Sequence, residues 1–183
     1  MNKIEKREAG FSYLDVMLAI TILMVGVMAL VSAITSGLTM TTSSQQALTA
    51  KQYASSTVEA IYTARDLGPL GWDAVGNVGD EAIPGGVFVT DRQDIQATPG
   101  ADGIVGTSDD AAGPDGDSGT PDDGVPVPGF QRKIHVEDIA DPDRPNSPIT
   151  LRQIDVHIYY FIGSIEHEEK MTSYIANYRT DGN

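Results

Sequence analysis

The chain has 183 residues, enough for one compact domain, and carries 26 Asp plus Glu against 12 Lys plus Arg, a formal net charge of −14. Such a surface repels phosphate backbones, which excludes nucleic-acid binding by the folded domain. The absence of cysteine excludes a disulfide framework, a thiol nucleophile and zinc held by thiolates.

Residues 1–10 (MNKIEKREAG) are polar, with Lys3, Lys6 and Arg7 among two glutamates. From Phe11 the character changes abruptly, and beyond Asp15 no charged residue occurs until Lys51, a run of 35 residues. The most apolar part, Val16 to Ile34, is 19 residues long. As a helix it would measure about 28 Å, close to the hydrocarbon thickness of a bilayer. In lipid it should be helical, because only then are its backbone groups satisfied internally, and the basic leader should stay on the cytoplasmic side. Asp15 does not suit a simple anchor. A carboxylate carried to the membrane centre costs roughly 2.5–3.5 kcal/mol, and less near the interface. Asp15 is therefore expected to have a partner and is a candidate functional residue.

A short basic segment, then Gly10, Phe11, the small Ser12, the hydrophobic Tyr13 and Leu14, the acidic Asp15 and an apolar helix is an ordered pattern. It resembles the N-terminus of the type IV pilin and type II secretion pseudopilin family. The resemblance covers only this N-terminal part of the chain. It implies that a prepilin peptidase cuts between Gly10 and Phe11 and methylates the new amine of Phe11. It also implies that Asp15, fifth in the mature chain, is the assembly carboxylate that pairs with the terminal amine of a neighbouring subunit. The family usually has Glu at this place; Asp keeps the charge and shortens the reach by one methylene. Two other readings compete: a secretory signal cut at the small-x-small site Val31-Ser32-Ala33, and an uncut single-span anchor.

Beyond the polar run Thr39 to Ser44, Ala47, Ala54, Val58 and Ile61 recur at seven-four-three spacing and form one apolar stripe on a helix over Gln45 to Arg65. Lys51, Glu59 and Arg65 occupy other positions, and Gly68-Pro69 ends the helix. One long helix, apolar all round and then one-sided, is expected; two helices hinged near Gly37 are the alternative.

Gly68 to Gly129 reads as a loop rich in Gly, Pro and Asp, with one short strand at Gly86 to Thr90. It contains a repeat: residues 100–110 (GADGIVGTSDD) match residues 113–123 (GPDGDSGTPDD) at a spacing of 13, with seven of eleven positions identical. No Lys or Arg occurs between Arg92 and Arg132. Carboxylates this dense either keep the segment extended and solvated or are neutralised by a cation. Calcium suits Asp and carbonyl oxygens, with Gly permitting tight turns. The spacing does not match an EF-hand, since Gly119 stands at the third ligand position after Asp115 and Asp117. Some pseudopilins hold calcium in a C-terminal loop, so the resemblance adds weight to that reading. The candidate ligands are Asp102, Asp109, Asp110, Asp115, Asp117, Asp122 and Asp123.

In the C-terminal third, Ile154, Val156, Ile158, Tyr160 and Ile162 alternate with Asp155, His157, Tyr159 and Phe161, the period of a half-buried strand. Phe130, Ile134 and Val136 share a parity that Arg132 interrupts. Glu166 to Tyr178 is a third strand with Tyr174, Ala176 and Tyr178 on one side, joined to the second through Gly163-Ser164. Pro142, Pro145 and Pro148 keep 141–148 out of any sheet.

No catalytic set stands out. His135, His157 and His167 lie on or beside strands, Glu166-His167-Glu168-Glu169 is no HExxH helix, and the Gly-rich stretches lack the Lys-Ser/Thr of a phosphate loop. Trp72, the single tryptophan, anchors the loop after the helix or joins the core.

The expected architecture is α+β: a long N-terminal helix, membrane-spanning in its first half and amphipathic in its second, packed on a small antiparallel β-meander with a long Asp/Gly-rich loop insert. Its divisions are a leader 1–10, the helix 11–66, the insert 67–129 and the sheet region 130–183. The expected function is non-enzymatic: a minor pilin or pseudopilin held in the inner (cytoplasmic) membrane with its C-terminal domain extracytoplasmic. Its partners are prepilin peptidase, other pilin or pseudopilin subunits and the membrane, with no nucleic acid bound. The alternative is a membrane-anchored, calcium-binding adhesion module outside any filament.

Overall fold

The computed structural model describes residues 12–67, 70–117, 120–121, 123–144 and 147–177. It is an α+β structure: one helix, α1 (Tyr13–Leu67), and four strands, β1 (Gln93–Gln96), β2 (Pro126–Ile139), β3 (Leu151–Ile162) and β4 (Ile165–Ala176). The strands form one open antiparallel sheet in chain order. The chain divides into two units, Met1–Ser44 and Gln45–Asn183.

The first unit holds the apolar part of α1. Its large side chains, Leu18, Leu23 and Met28 among them, are all exposed. Its threonines satisfy themselves within the helix: Thr35 donates to the Val31 carbonyl at 2.9 Å and Thr39 to that of Thr35 at 2.9 Å. Hydroxyls returned to their own backbone present less unsatisfied polarity outward. The helix is long and apolar enough to cross a membrane.

In the second unit the stripe on α1 packs as its spacing predicts. Ala54, Val58 and Ile61 are buried, joined by Ala50 and Ala64, while Ala47 is partly buried. Four of these six residues are alanines, so the stripe is narrow. The facing side chains are Ile134 and Val136 from β2 and Ile154, Val156, Ile158 and Tyr160 from β3, alternate residues brought level by the register Ile134↔Val156 and Val136↔Ile154. At β4 the helix also closes part of the sheet edge: the Tyr62 hydroxyl donates to the Tyr174 carbonyl at 2.5 Å and Arg65 to the Ala176 carbonyl at 2.6 Å.

The single long helix is as expected, without the alternative break at Gly37, which lies inside α1. Other expectations are corrected. The expected strand at 86–90 is a single bridge, Asn77↔Phe88, and the strand of that region is β1, at 93–96. β2 starts at Pro126, inside the segment read as insert, and the last strand is β4, with Tyr178 and the expected stop at Gly68-Pro69 outside the described residues. Nor is the insert a solvated loop. Leu70, Val75, Ile83, Phe88, Ile95 and Ile104 are buried in the same core as the helix and sheet. These residues are too widely and irregularly spaced to register as a period, yet the sheet offers them apolar surface that the helix alone leaves uncovered.

Candidate functional site

Three places bear on function: the head of α1, the Asp-rich repeats, and the polar groups that tie the insert to the sheet. At the head of the helix the Asp15 amide donates to the Ser12 carbonyl at 3.0 Å, closing the first turn. A carboxylate there complements the positive end of the helix dipole. Asp15, Ala19 and Leu23 stand four residues apart on one face and, with Val16 and Ile20, line a shallow groove. A single charge thus heads an apolar stripe that includes a small residue. Gly10 and Phe11, the expected cleavage and methylation positions, lie outside the described residues.

Among the described residues the two repeat units share a set of hydrogen bonds. In the first, the Ile104 amide donates to Asp102 Oδ1 at 2.8 Å; in the second, the Asp117 amide donates to Asp115 Oδ1 at 2.9 Å. The Thr107 hydroxyl lies 3.1 Å from the Ile104 carbonyl and 3.3 Å from Asp110 Oδ1; the Thr120 hydroxyl lies 3.0 Å from the Asp117 carbonyl and 3.2 Å from Asp123 Oδ1. Gly103 and Gly116 both take positive φ, as these turns require. The duplication therefore reaches down to single hydrogen bonds.

Their electrostatics follow from burial. Asp110 and Arg132 are 7% and 5% exposed in their side chains and pair at 2.7 Å, with the Gly106 amide donating to the same Asp110 oxygen at 2.7 Å. Burial lowers the Arg132 pKa, and the Asp110 charge opposes that shift. Burial raises the Asp102 pKa, and repulsion from Asp109 and Asp110 adds to the rise. Burial also acts upward on Asp109, but hydrogen bonds from the Thr107 hydroxyl and the Asp102 amide outweigh it and hold the group below the usual carboxylate range.

The expected calcium ligands must be judged against this arrangement. Among the described residues no three His, Asp or Glu side chains are grouped so as to hold a metal ion. Asp110 is committed to Arg132, Asp109 to Thr107 and the Asp102 amide, and Asp102 and Asp115 to backbone amides. Asp117 is exposed, Asp123 receives the Thr120 amide at 3.1 Å, and Asp122 lies outside the described residues. Among the described residues, the candidate carboxylates engaged in these internal hydrogen bonds are not gathered around a common point.

Sequence reasoning missed three tying groups. Arg132, read as a break in an apolar parity, is the buried counter-ion of Asp110. Asn77 is buried; its amide donates to the Ile134 carbonyl at 2.8 Å and accepts from the Val136 amide at 2.7 Å, covering the β2 edge beyond the end of β1. Arg152 reaches the Trp72 and Val75 carbonyls, pairs with Asp138 at 2.7 Å and lies over the Trp72 ring. The only sequence signal for the arginines was a cation at a position whose neighbours of the same parity are apolar. Of the histidines, His157 contacts Glu168 through Nδ1 and stacks on Tyr159, an arrangement of the exposed sheet face.

The fold and these sites define an α+β protein with an N-terminal helix of membrane-spanning length and a mixed core of helix, sheet and insert. Comparison with protein-family models, with curated proteins and with solved structures found no match.

Proposed function

We propose that this chain is a membrane-anchored structural subunit of a type IV pilin-like filament, a minor pilin or pseudopilin, processed at Gly10-Phe11. The observation that carries the proposal is Asp15. It is the one charge in the first turn of a helix whose next 35 residues are uncharged and whose apolar side chains are exposed. A span that serves only to anchor has no use for that charge. A subunit that transfers from lipid to a helix bundle does, because the carboxylate can meet a neighbour's terminal amine there. The α+β architecture behind the helix supports the same reading, as does the continuation of α1 into a face that packs on an antiparallel sheet.

The test is the intact mass and first residue of the protein extracted from its native membrane. A chain beginning at N-methylated Phe11 supports the proposal; one beginning near Ile34 or at Met1 overturns it. An Asp15→Ala variant should enter the membrane normally and be absent from filaments.

A further inference from the structure

Both edges of the sheet keep open backbone. Tyr62 and Arg65 take the Tyr174 and Ala176 carbonyls, so the even-numbered residues of β4 turn their backbone groups away from β3. Earlier in the strand, Glu166, Glu168, Lys170 and Thr172 have no backbone partner on that side among the described residues. At the other edge the backbone of β1 pairs with β2 alone among the described residues. Charged side chains normally keep a second strand off an open edge. On β4 each is already paired within the chain: Glu166 with Arg92 at 2.6 Å, Glu168 with His157, Glu169 with Lys51 at 3.7 Å and Lys170 with Asp155 at 3.0 Å.

Three exposed apolar side chains stand at the same two edges. Phe161 and Ile165, 50% and 65% exposed, flank the tight β3–β4 turn, where Gly163 takes a φ of +64°. Val125, 69% exposed, precedes β2, and its carbonyl accepts from the Ala97 amide just past β1 at 3.1 Å. β1 ends, β2 starts, β3 ends and β4 starts at one end of the sheet, so the two apolar corners lie at the same end on opposite edges. Residues 124–130 (GVPVPGF) and 161–165 (FIGSI) carry no charge. Copies of a chain of net charge −14 repel one another, least where their surfaces are uncharged.

We infer that β4 of one copy pairs with β1 of a second copy, continuing the sheet from chain to chain. The sheet has four antiparallel strands in chain order, an even number, so β1 of a copy facing the same way runs antiparallel to β4. That pairing sets the Phe161–Ile165 corner of one copy against the Val125 corner of the next and covers both. The two surfaces differ, so the contact is heterologous and leaves an edge free for the following copy. A two-fold pairing of β4 with β4 would leave Val125 exposed and put the two Ile165 side chains at opposite ends. The inference rests on the filament reading for its partner, a second copy, and adds a contact between folded units that is separate from the one made by Asp15.

The chain has no cysteine, so introduced cysteines report single contacts. Full-length Ile165→Cys and full-length Val125→Cys, one carrying a mass tag, are mixed in detergent micelles under mild oxidation. Asp143→Cys, in the β2–β3 connection, measures chance collision. The expected result is a disulfide dimer joining positions 125 and 165, several-fold above either variant mixed with Asp143→Cys. Glu168→Pro, added to the Ile165→Cys chain, removes an amide that faces the open edge, where Pro is tolerated. It should lower the yield several-fold at unchanged circular dichroism. Yields equal to the control overturn the inference, a yield that Glu168→Pro leaves unchanged overturns the strand pairing, and a dominant dimer through two 165 positions assigns the edge to a two-fold pair instead. The dimer found in a chain that begins at Met1 overturns the filament reading alone; its absence in a chain that begins at Phe11 overturns this contact alone.

Discussion

The two repeat units share seven of eleven residues and, among the described residues, the same Asp-to-amide and threonine hydrogen bonds, yet Ile104 and Asp110 of the first are buried while Asp115 and Asp117 of the second are exposed. In the first unit Ile104 is buried, and Gly106 lies so close to the sheet that an added Cβ would stand 2.3 Å from Ile134 Cδ1. In the second, Asp117 replaces Ile104 and is exposed. The apolar side chain of Ile104 is among the core residues of the second unit of the chain. Once buried, the carboxylate of Asp110 needs a buried cation, and Arg132 supplies it. The shared residues thus set the shared turns, while the four positions that differ, Ile104 against Asp117 among them, accompany a different environment, and burial strengthens the charges of the first unit.

The largest way to break this difference is Arg132→Met. It leaves Asp110 buried and unpaired and should cost about 3–5 kcal/mol. Urea unfolding of the full chain in detergent micelles, followed by circular dichroism, measures it. The double variant Arg132→Met with Asp110→Leu should recover most of the loss. A cost of only about 0–1 kcal/mol would mean that the pair behaves as an exposed one. Next in size is the substitution that separates the units. Ile104→Ala should destabilise by about 2–5 kcal/mol, and Asp117→Ala at the matching position should change stability by less than about 0.5 kcal/mol. Equal effects in the same assay would show that burial does not distinguish the units.

The smallest effect sharpens the comparison through pH. The folded pKa of Asp109 is depressed, so its contribution to stability is complete above the unfolded value of about 3.9 and is lost as pH falls through the folded pKa. Asp102 is raised and acts in the opposite sense, contributing as pH falls and losing that contribution as pH rises through its folded pKa. Thermal unfolding followed from neutral pH into the carboxylate range should therefore fall less steeply in Asp109→Asn and more steeply in Asp102→Asn than in the parent. Parallel curves for all three would contradict these shifts.

Much of the fold was legible because its signals are periodic. The stripe through Ala54, Val58 and Ile61 and the alternation from Ile154 to Ile162 each mark one buried face, and the structure buries those faces against each other. The site at Asp15 was legible because a charge beside a long uncharged run is conspicuous. The insert was not. Its buried side chains, Leu70, Ile83, Phe88 and Ile104 among them, follow no period, and a stretch so rich in Asp and Gly reads as solvent-exposed. Arg132 read as an interruption because a parity rule cannot see a carboxylate 22 residues away in sequence. Asn77 gave no signal, since side-chain coverage of a strand edge leaves no mark in composition.

By itself, then, the sequence determined the helix of membrane-spanning length, the acid at its head, the one-sided continuation and the three long strands, because each depends on spacing along the chain. The tertiary structure decided that the insert belongs to the core, that Arg132 neutralises Asp110, and that Asn77 covers the β2 edge. These depend on distances between residues far apart in sequence. Such distances arise only when burial and pairing bring the segments together, and they then set the solvation of each charge.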